Sequence, residues 1–174
     1  MVDLKNKIRN VPDFPKPGIG FKDITTLIKD GEAFQQAVDA IAEHYHPDDI
    51  DVIVGIESRG FIFAAALAYK WGKGFVPVRK PGKLPAETIH EEYQLEYGTD
   101  RVEMHCDAIQ PDQRVLIIDD LLATGGTVSA TVRLIERLKG SIVGIGFLIE
   151  LSFLNGREKL KNYPICSLIT FDGE

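Results

Sequence analysis

Apolar residues recur along this chain in two spacings, and their alternation sets the expected fold class. Dense apolar runs at Asp51–Ile56, Gly74–Val78, Val115–Ile118, Ser141–Leu151 and Ile165–Phe171 predict strands. Val115-Leu-Ile-Ile118 carries no polar alternation, the mark of a strand covered on both faces of a parallel sheet. Helical spacing appears over Glu32–His46, with Phe34, Ala37, Val38, Ile41 and Tyr45 on one face, and again over Phe61–Trp71 and Val128–Lys139. Strands alternating with helices predict an α/β fold, a central and mostly parallel sheet flanked by helices.

The remaining stretches are less regular. Leu4, Ile8 and Val11 are spaced for a short helix over Val2–Asn10, and Pro12, Pro15 and Pro17 then make Phe14–Ile24 a stiff, apolar loop. Ala86–Arg101 shows no clean period and reads as a mobile flap, with Arg101–Cys106 as its return strand. Asn155–Leu160 reads as a helical turn. No repeat or low-complexity linker divides the chain, so residues 1–174 are expected to form one domain, with a hood over about 1–30 and the flap over about 79–106.

Composition narrows the partners. With 44% hydrophobic and 26% charged residues the chain is globular, and a formal net charge of −6 argues against nucleic acid. Two cysteines, Cys106 and Cys166, make no disulfide framework. The longest apolar run, Phe61–Tyr69, is too short to span a membrane, and Met1–Arg9 has no apolar signal core. A cytoplasmic location is expected.

Three stretches carry chemistry. Asp119 and Asp120 follow the Val115–Ile118 run, and Ala123-Thr-Gly-Gly-Thr127 then opens a helix. Amides at a helix N-terminus with two threonine hydroxyls suit a phosphate. Carboxylates suit hydroxyls or a divalent cation, so the stretch describes a ribose 5-phosphate site. No Lys-Ser or Lys-Thr follows the glycines, which excludes a Walker A loop. Glu57-Ser58-Arg59-Gly60 is a second polar turn after a strand, where Arg59 is either a phosphate fork or an exposed turn residue. Arg79, Lys80 and Lys83 form a basic, proline-rich turn. Ile19 and Phe21 either face an aromatic base or cover the core. Gly144-Ile-Gly146 lies inside a strand and lacks the third glycine of a dinucleotide fingerprint.

Asp119-Asp-Leu-Leu-Ala-Thr-Gly-Gly-Thr127 resembles the phosphoribosyl pyrophosphate (PRPP) motif of the type I phosphoribosyltransferases, in the form carried by those acting on adenine. The resemblance extends from about Val11 to Phe171 through four motifs in order, and it implies the fold of that family. It implies that Asp119 and Asp120 face ribose hydroxyls and that Ala123, Thr124, Gly125, Gly126 and Thr127 wrap the 5-phosphate. Pro17-Gly-Ile-Gly-Phe-Lys-Asp-Ile24 is similar to an adenine-binding hood. There Phe21 would stack on the base, and backbone groups near Ile19, Gly20 and Lys22 would read its edge; Lys22 departs from an arginine in other members. Ser58 and Arg59 would form the pyrophosphate loop, where some members keep a cis peptide. Arg79, Lys80 and Lys83 would add to it, with Arg79 reaching the neighbouring subunit of a homodimer. Tyr93-Gln-Leu-Glu96-Tyr-Gly98 is similar to the family's catalytic loop, making Glu96 and Arg59 the catalytic candidates. The implied reaction joins adenine to PRPP with Mg²⁺ carried by the substrate and no metal bound directly by the protein. A transferase for 6-oxopurines and a non-catalytic PRPP sensor are the competing expectations.

Overall fold

The computed structural model describes residues 2–95 and 98–173. Its centre is a five-stranded sheet of order β4-β3-β7-β8-β9. The strands are β3 (Val52–Ile56), β4 (Gly74–Val78), β7 (Arg114–Leu122), β8 (Ser141–Leu151) and β9 (Ile165–Phe171). Every neighbouring pair in it is parallel. Strand order reverses between β3 and β7, and in open parallel sheets the crevice at that reversal is where ligands bind.

The parallel arrangement follows from the sequence pattern. Each face of β7 is apolar, so both must be covered. Leu116 and Ile118 pack with α2 (Gly31–Ala42) and α3 (Gly60–Trp71) on one side. Val115 and Ile117 pack on the other side with α4 (Gly126–Arg137). Gly144 and Gly146 of β8 have a packing role: a Cβ on Gly144 would strike the Tyr45 ring at 2.6 Å. The two glycines open a slot that the aromatic ring fills, which explains a Gly-x-Gly with no nucleotide chemistry.

Two smaller units cap the sheet. The hood pairs β1 (Arg9–Val11) with β2 (Phe21–Asp23), antiparallel, ahead of the one-turn helix α1 (Thr25–Ile28). The helix expected over Val2–Asn10 is not formed; a 3₁₀ turn at Lys5–Lys7 leads straight into β1. Three residues of β-pairing with Phe21–Asp23 satisfy backbone groups that a helix ending before Pro12 would leave open. The flap is an antiparallel hairpin of β5 (Thr88–Gln94) and β6 (Thr99–His105), more regular than its composition suggests. Arg79 and Glu103 join it to the end of β4 by a backbone bridge.

Candidate active site

Strand β7 runs past its apolar stretch and keeps both acids inside the strand. Asp119 and Asp120 are buried. Burial pushes the Asp119 carboxyl well above its usual range, and the Asp120 charge adds to the push. Burial also raises Asp120, with Arg59 pulling the other way. Arg59 Nε stands 2.8 Å from Asp120 Oδ2, yet the N–H is not aimed at that oxygen. The contact is therefore one of charge, and Oδ2 is a buried acceptor with no donor among the described residues. Such an atom is costly unless a ligand hydroxyl completes it.

Beyond the acids the chain turns through Gly125, at φ 76°, into α4. No side chain caps this helix, so its first amides are open to an anion. They line a cavity of about 70 Å³ with Asp119, Thr124 and Thr127. The floor of the turn is Gly156, from a segment in which the sequence pattern gave no sign of a site. A Cβ on Gly156 would overlap the Ala123 carbonyl oxygen and lie 3.1 Å from the Gly125 nitrogen.

Arg59 is the N-cap of α3 and links three predicted regions. Its guanidinium lies 4.8 Å from the centre of the Phe21 ring while its Nε meets Asp120. Phe21 also makes an edge contact with Phe14, ring centres 5.1 Å apart, so β2, the turn after β3 and the acids of β7 converge. The Glu57–Ser58 peptide is cis, as in some members of the family the sequence resembles. Ile19 is exposed at the hood's outer edge. Lys22 is buried, its Nζ donating to Asn10 Oδ1 at 3.0 Å and lying 4.6 Å from the Phe171 ring centre. That ammonium serves the hood's own packing.

The basic turn is organised by Glu57, which residue type and spacing did not single out. Its Oε2 accepts from Arg79 Nε at 3.2 Å and from the Lys80 amide at 2.9 Å, and Lys83 Nζ pairs with Oε1. Burial would raise the Glu57 carboxyl, but the Lys83, Lys80 and Arg79 donors outweigh it and hold it below its ordinary range. Lys80 Nζ turns instead to Tyr93 and Asp100 of the flap. Glu96 lies outside the described residues. Among the described residues no group of three His, Cys, Asp or Glu could enclose a metal ion. A larger cavity, about 490 Å³, opens at the far end of the sheet beside His44, His46 and Arg114. Arg114 is already held there by Asp51 and the Asp48 carbonyl, so its fork is not free for a ligand.

The chain is similar to known proteins along nearly its whole length. A family model described as phosphoribosyl transferase domain matches residues 25–170. The chain is 62% identical to an adenine phosphoribosyltransferase of Chloroflexus aurantiacus, over 97% of this chain and 98% of that one. It is 62% identical to one of Alkaliphilus metalliredigens, over 98% of this chain and 100% of that one. A solved adenine phosphoribosyltransferase of Thermoanaerobacter pseudethanolicus superposes with a TM-score of 0.94 at 56% identity, covering 97% of this chain and 98% of that one. The Saccharomyces cerevisiae enzyme, solved with adenine and an imino-altritol bisphosphate, gives 0.90 at 42% identity, covering 95% and 96%.

Proposed function

The chain belongs to the phosphoribosyltransferase family, and from that premise we propose that it transfers the 5-phosphoribosyl group of PRPP to N9 of adenine, releasing AMP and pyrophosphate. The observation that carries this reading is the convergence on Arg59. One guanidinium touches the hood aromatic and the ribose acid, at the head of the pyrophosphate loop. Base, sugar and leaving group thus meet at one point.

Each part has a distinct task. The open amides of α4, with Thr124 and Thr127, hold the 5-phosphate. Asp119 and Asp120 accept the ribose hydroxyls, and the unpartnered Oδ2 of Asp120 gains a donor when they do. Phe21 supplies a flat apolar face for adenine. The C1–O bond breaks with its electron pair leaving on pyrophosphate, N9 supplies the pair for the new bond, and the proton displaced from N9 passes to Glu96 or to the departing pyrophosphate. Arg59, Arg79 and Lys83 offset the charge that gathers on the leaving group.

Mg²⁺ fits this site at its substrate side. The oxygens of PRPP and water would form its shell, with Asp119 and Asp120 left to the ribose hydroxyls and no protein group bound to it directly. When bound it neutralises pyrophosphate. We assign Arg79 a further part in the neighbouring site of a homodimer. No helix among the described residues is long and apolar enough to cross a membrane.

Incubation with PRPP, Mg²⁺ and each of adenine, hypoxanthine and guanine tests the reading. AMP from adenine alone is the expected result; IMP or GMP as the main product, or no nucleotide at all, overturns it. For Glu96 we assign the handling of a purine proton, or stabilisation of the cation-like ribose, once the flap closes. Glu96→Gln is expected to lower kcat by about a hundredfold while KM for PRPP moves by less than about threefold. Unchanged turnover in steady-state assays removes Glu96 from the mechanism.

A further inference from the structure

Lys80 lies between Arg79 and Lys83 in sequence, but its side chain takes a different course. Its amide is fixed by Glu57, while its Nζ donates to the Tyr93 hydroxyl at 2.6 Å and pairs with the Asp100 carboxylate. The same hydroxyl donates to Asp100 Oδ2 at 2.9 Å, closing a triangle of three side chains. The ammonium also stands 5.2 Å from the centre of the Tyr93 ring. Tyr93 is 8% exposed, and its ring lies against the phosphate loop: a Cβ on Gly126 would come within 3.1 Å of Cδ2. One residue therefore touches the 5-phosphate end of the site with its ring and the basic turn with its hydroxyl.

The flap base is anchored on the same side of the sheet. Glu91 accepts from Arg133 Nε at 3.0 Å and from Arg137 Nη1 at 2.8 Å, both from α4. These bonds fix β5 to the helix but not to the basic turn. β6 is tied to that turn by the Arg79–Glu103 backbone bridge and by the Gly82 amide donating to Glu103 Oε2 at 3.1 Å, and the Lys80 triangle is the attachment that takes in β5 as well.

We propose that Lys80, Tyr93 and Asp100 form a latch that fixes the flap hairpin to the phosphate loop and the basic turn together, so that Lys80 is a positioning residue for the flap and not a pyrophosphate ligand. This rests on the transferase reading of the site. The three cations of the turn differ in what they would leave behind. Arg79 and Lys83 share one carboxylate, Glu57, so pyrophosphate can draw off either while the other keeps Glu57 paired. Drawing off Lys80 removes the ammonium donor from both Asp100 and the Tyr93 hydroxyl. Removing one partner from a part-buried network costs more than the mean worth of its bonds. Tyr93 and Asp100 of the latch stand on either side of Glu96 in the sequence.

Lys80→Met, Asp100→Asn, their double variant and Tyr93→Phe test this in the full-length chain. The latch predicts that each single substitution lowers kcat by about tenfold and that the double variant is no worse, because groups in contact are not additive. KM for pyrophosphate in the reverse reaction should stay within about twofold of the parent. Amide exchange across Thr88–Gln94 and Thr99–His105, measured on the protein alone, should accelerate in all four. A Lys80→Met variant whose KM for pyrophosphate rises about tenfold while that of Asp100→Asn does not would overturn the latch. So would unchanged exchange in the hairpin. The exchange measurement needs no turnover, so it judges the latch even if the parent makes no AMP, a result that would sink the transferase reading instead.

Discussion

Asp119→Asn is expected to make the chain more stable and nearly inactive. Asp119 is buried, and burial together with the Asp120 charge raises its carboxyl well above 3.8. A raised carboxyl pKa means that the folded chain holds the proton more tightly than the unfolded chain. The penalty is absent below about pH 3.8, where both states are protonated. It grows as pH rises from there, because the unfolded chain gives up its proton first, and it becomes constant above the folded value. Asparagine removes the charge but keeps an oxygen for the Asp120 amide, which donates to Asp119 Oδ1 at 2.8 Å. The gain at neutral pH should be on the order of 1–3 kcal/mol, or about 2–4 °C of melting temperature for each kcal/mol. The amide nitrogen cannot accept from a ribose hydroxyl, so kcat/KM for PRPP should fall by about a hundredfold. Thermal melts from pH 4 to 8 beside steady-state kinetics decide the matter. A melting temperature that stays level with the parent across that range refutes the electrostatic account.

The second large effect is steric. In Gly156→Ala the new methyl overlaps the Ala123 carbonyl and comes within 3.0 Å of Leu122 Cδ1. Neither the backbone oxygen nor the turn behind it can yield without moving the phosphate loop. Gly125 meets Gly156 from the other side, so the two glycines exist for one close approach. The substitution should cost about 2–3 kcal/mol of stability and raise KM for PRPP by about tenfold or more, with a smaller change for adenine. Gly31→Ala is the control, since nothing lies within 4 Å of a Cβ there. It should leave both constants unchanged and add a few tenths of a kcal/mol, or about 1 at most, to stability. Equal KM values for PRPP in Gly156→Ala and the parent would show that the loop is not held by this contact.

The sheet and its helices were legible because each is long enough to show its period. The turn through residues 123–127 into α4 was legible because its residues are contiguous. The return strand of the flap was legible near its observed place, β6, but the first strand, β5, was not, for a physical reason. Ile89, Glu91 and Tyr93 alternate inward as a strand requires, but Glu91 turns in to meet Arg133 and Arg137 of α4 and so reads as a solvated acid. The hood strands were hidden because three-residue strands owe their form to the partner they pair with. Strand β7 overran its expected end because Asp119 and Asp120 are inside the sheet, where acids are rare unless a ligand needs them. Glu57, Gly156 and the Lys80 latch all act through residues distant in the chain, and no local pattern marks them.

Strands β3 and β7 are neighbours in the sheet, with Val52 beside Val115, but the basic turn and the whole flap separate them along the chain. Pairings of this kind form late, because the intervening segment loses its freedom before any contact compensates. Arg59 and Asp120 therefore meet only after most of the chain is made. A nascent chain that has emerged only as far as the flap carries the basic turn without Asp119 and Asp120. A ligand protects only the states that bind it. The activated sugar should thus guard the finished protein against unfolding and give no shelter to the chain on its way there.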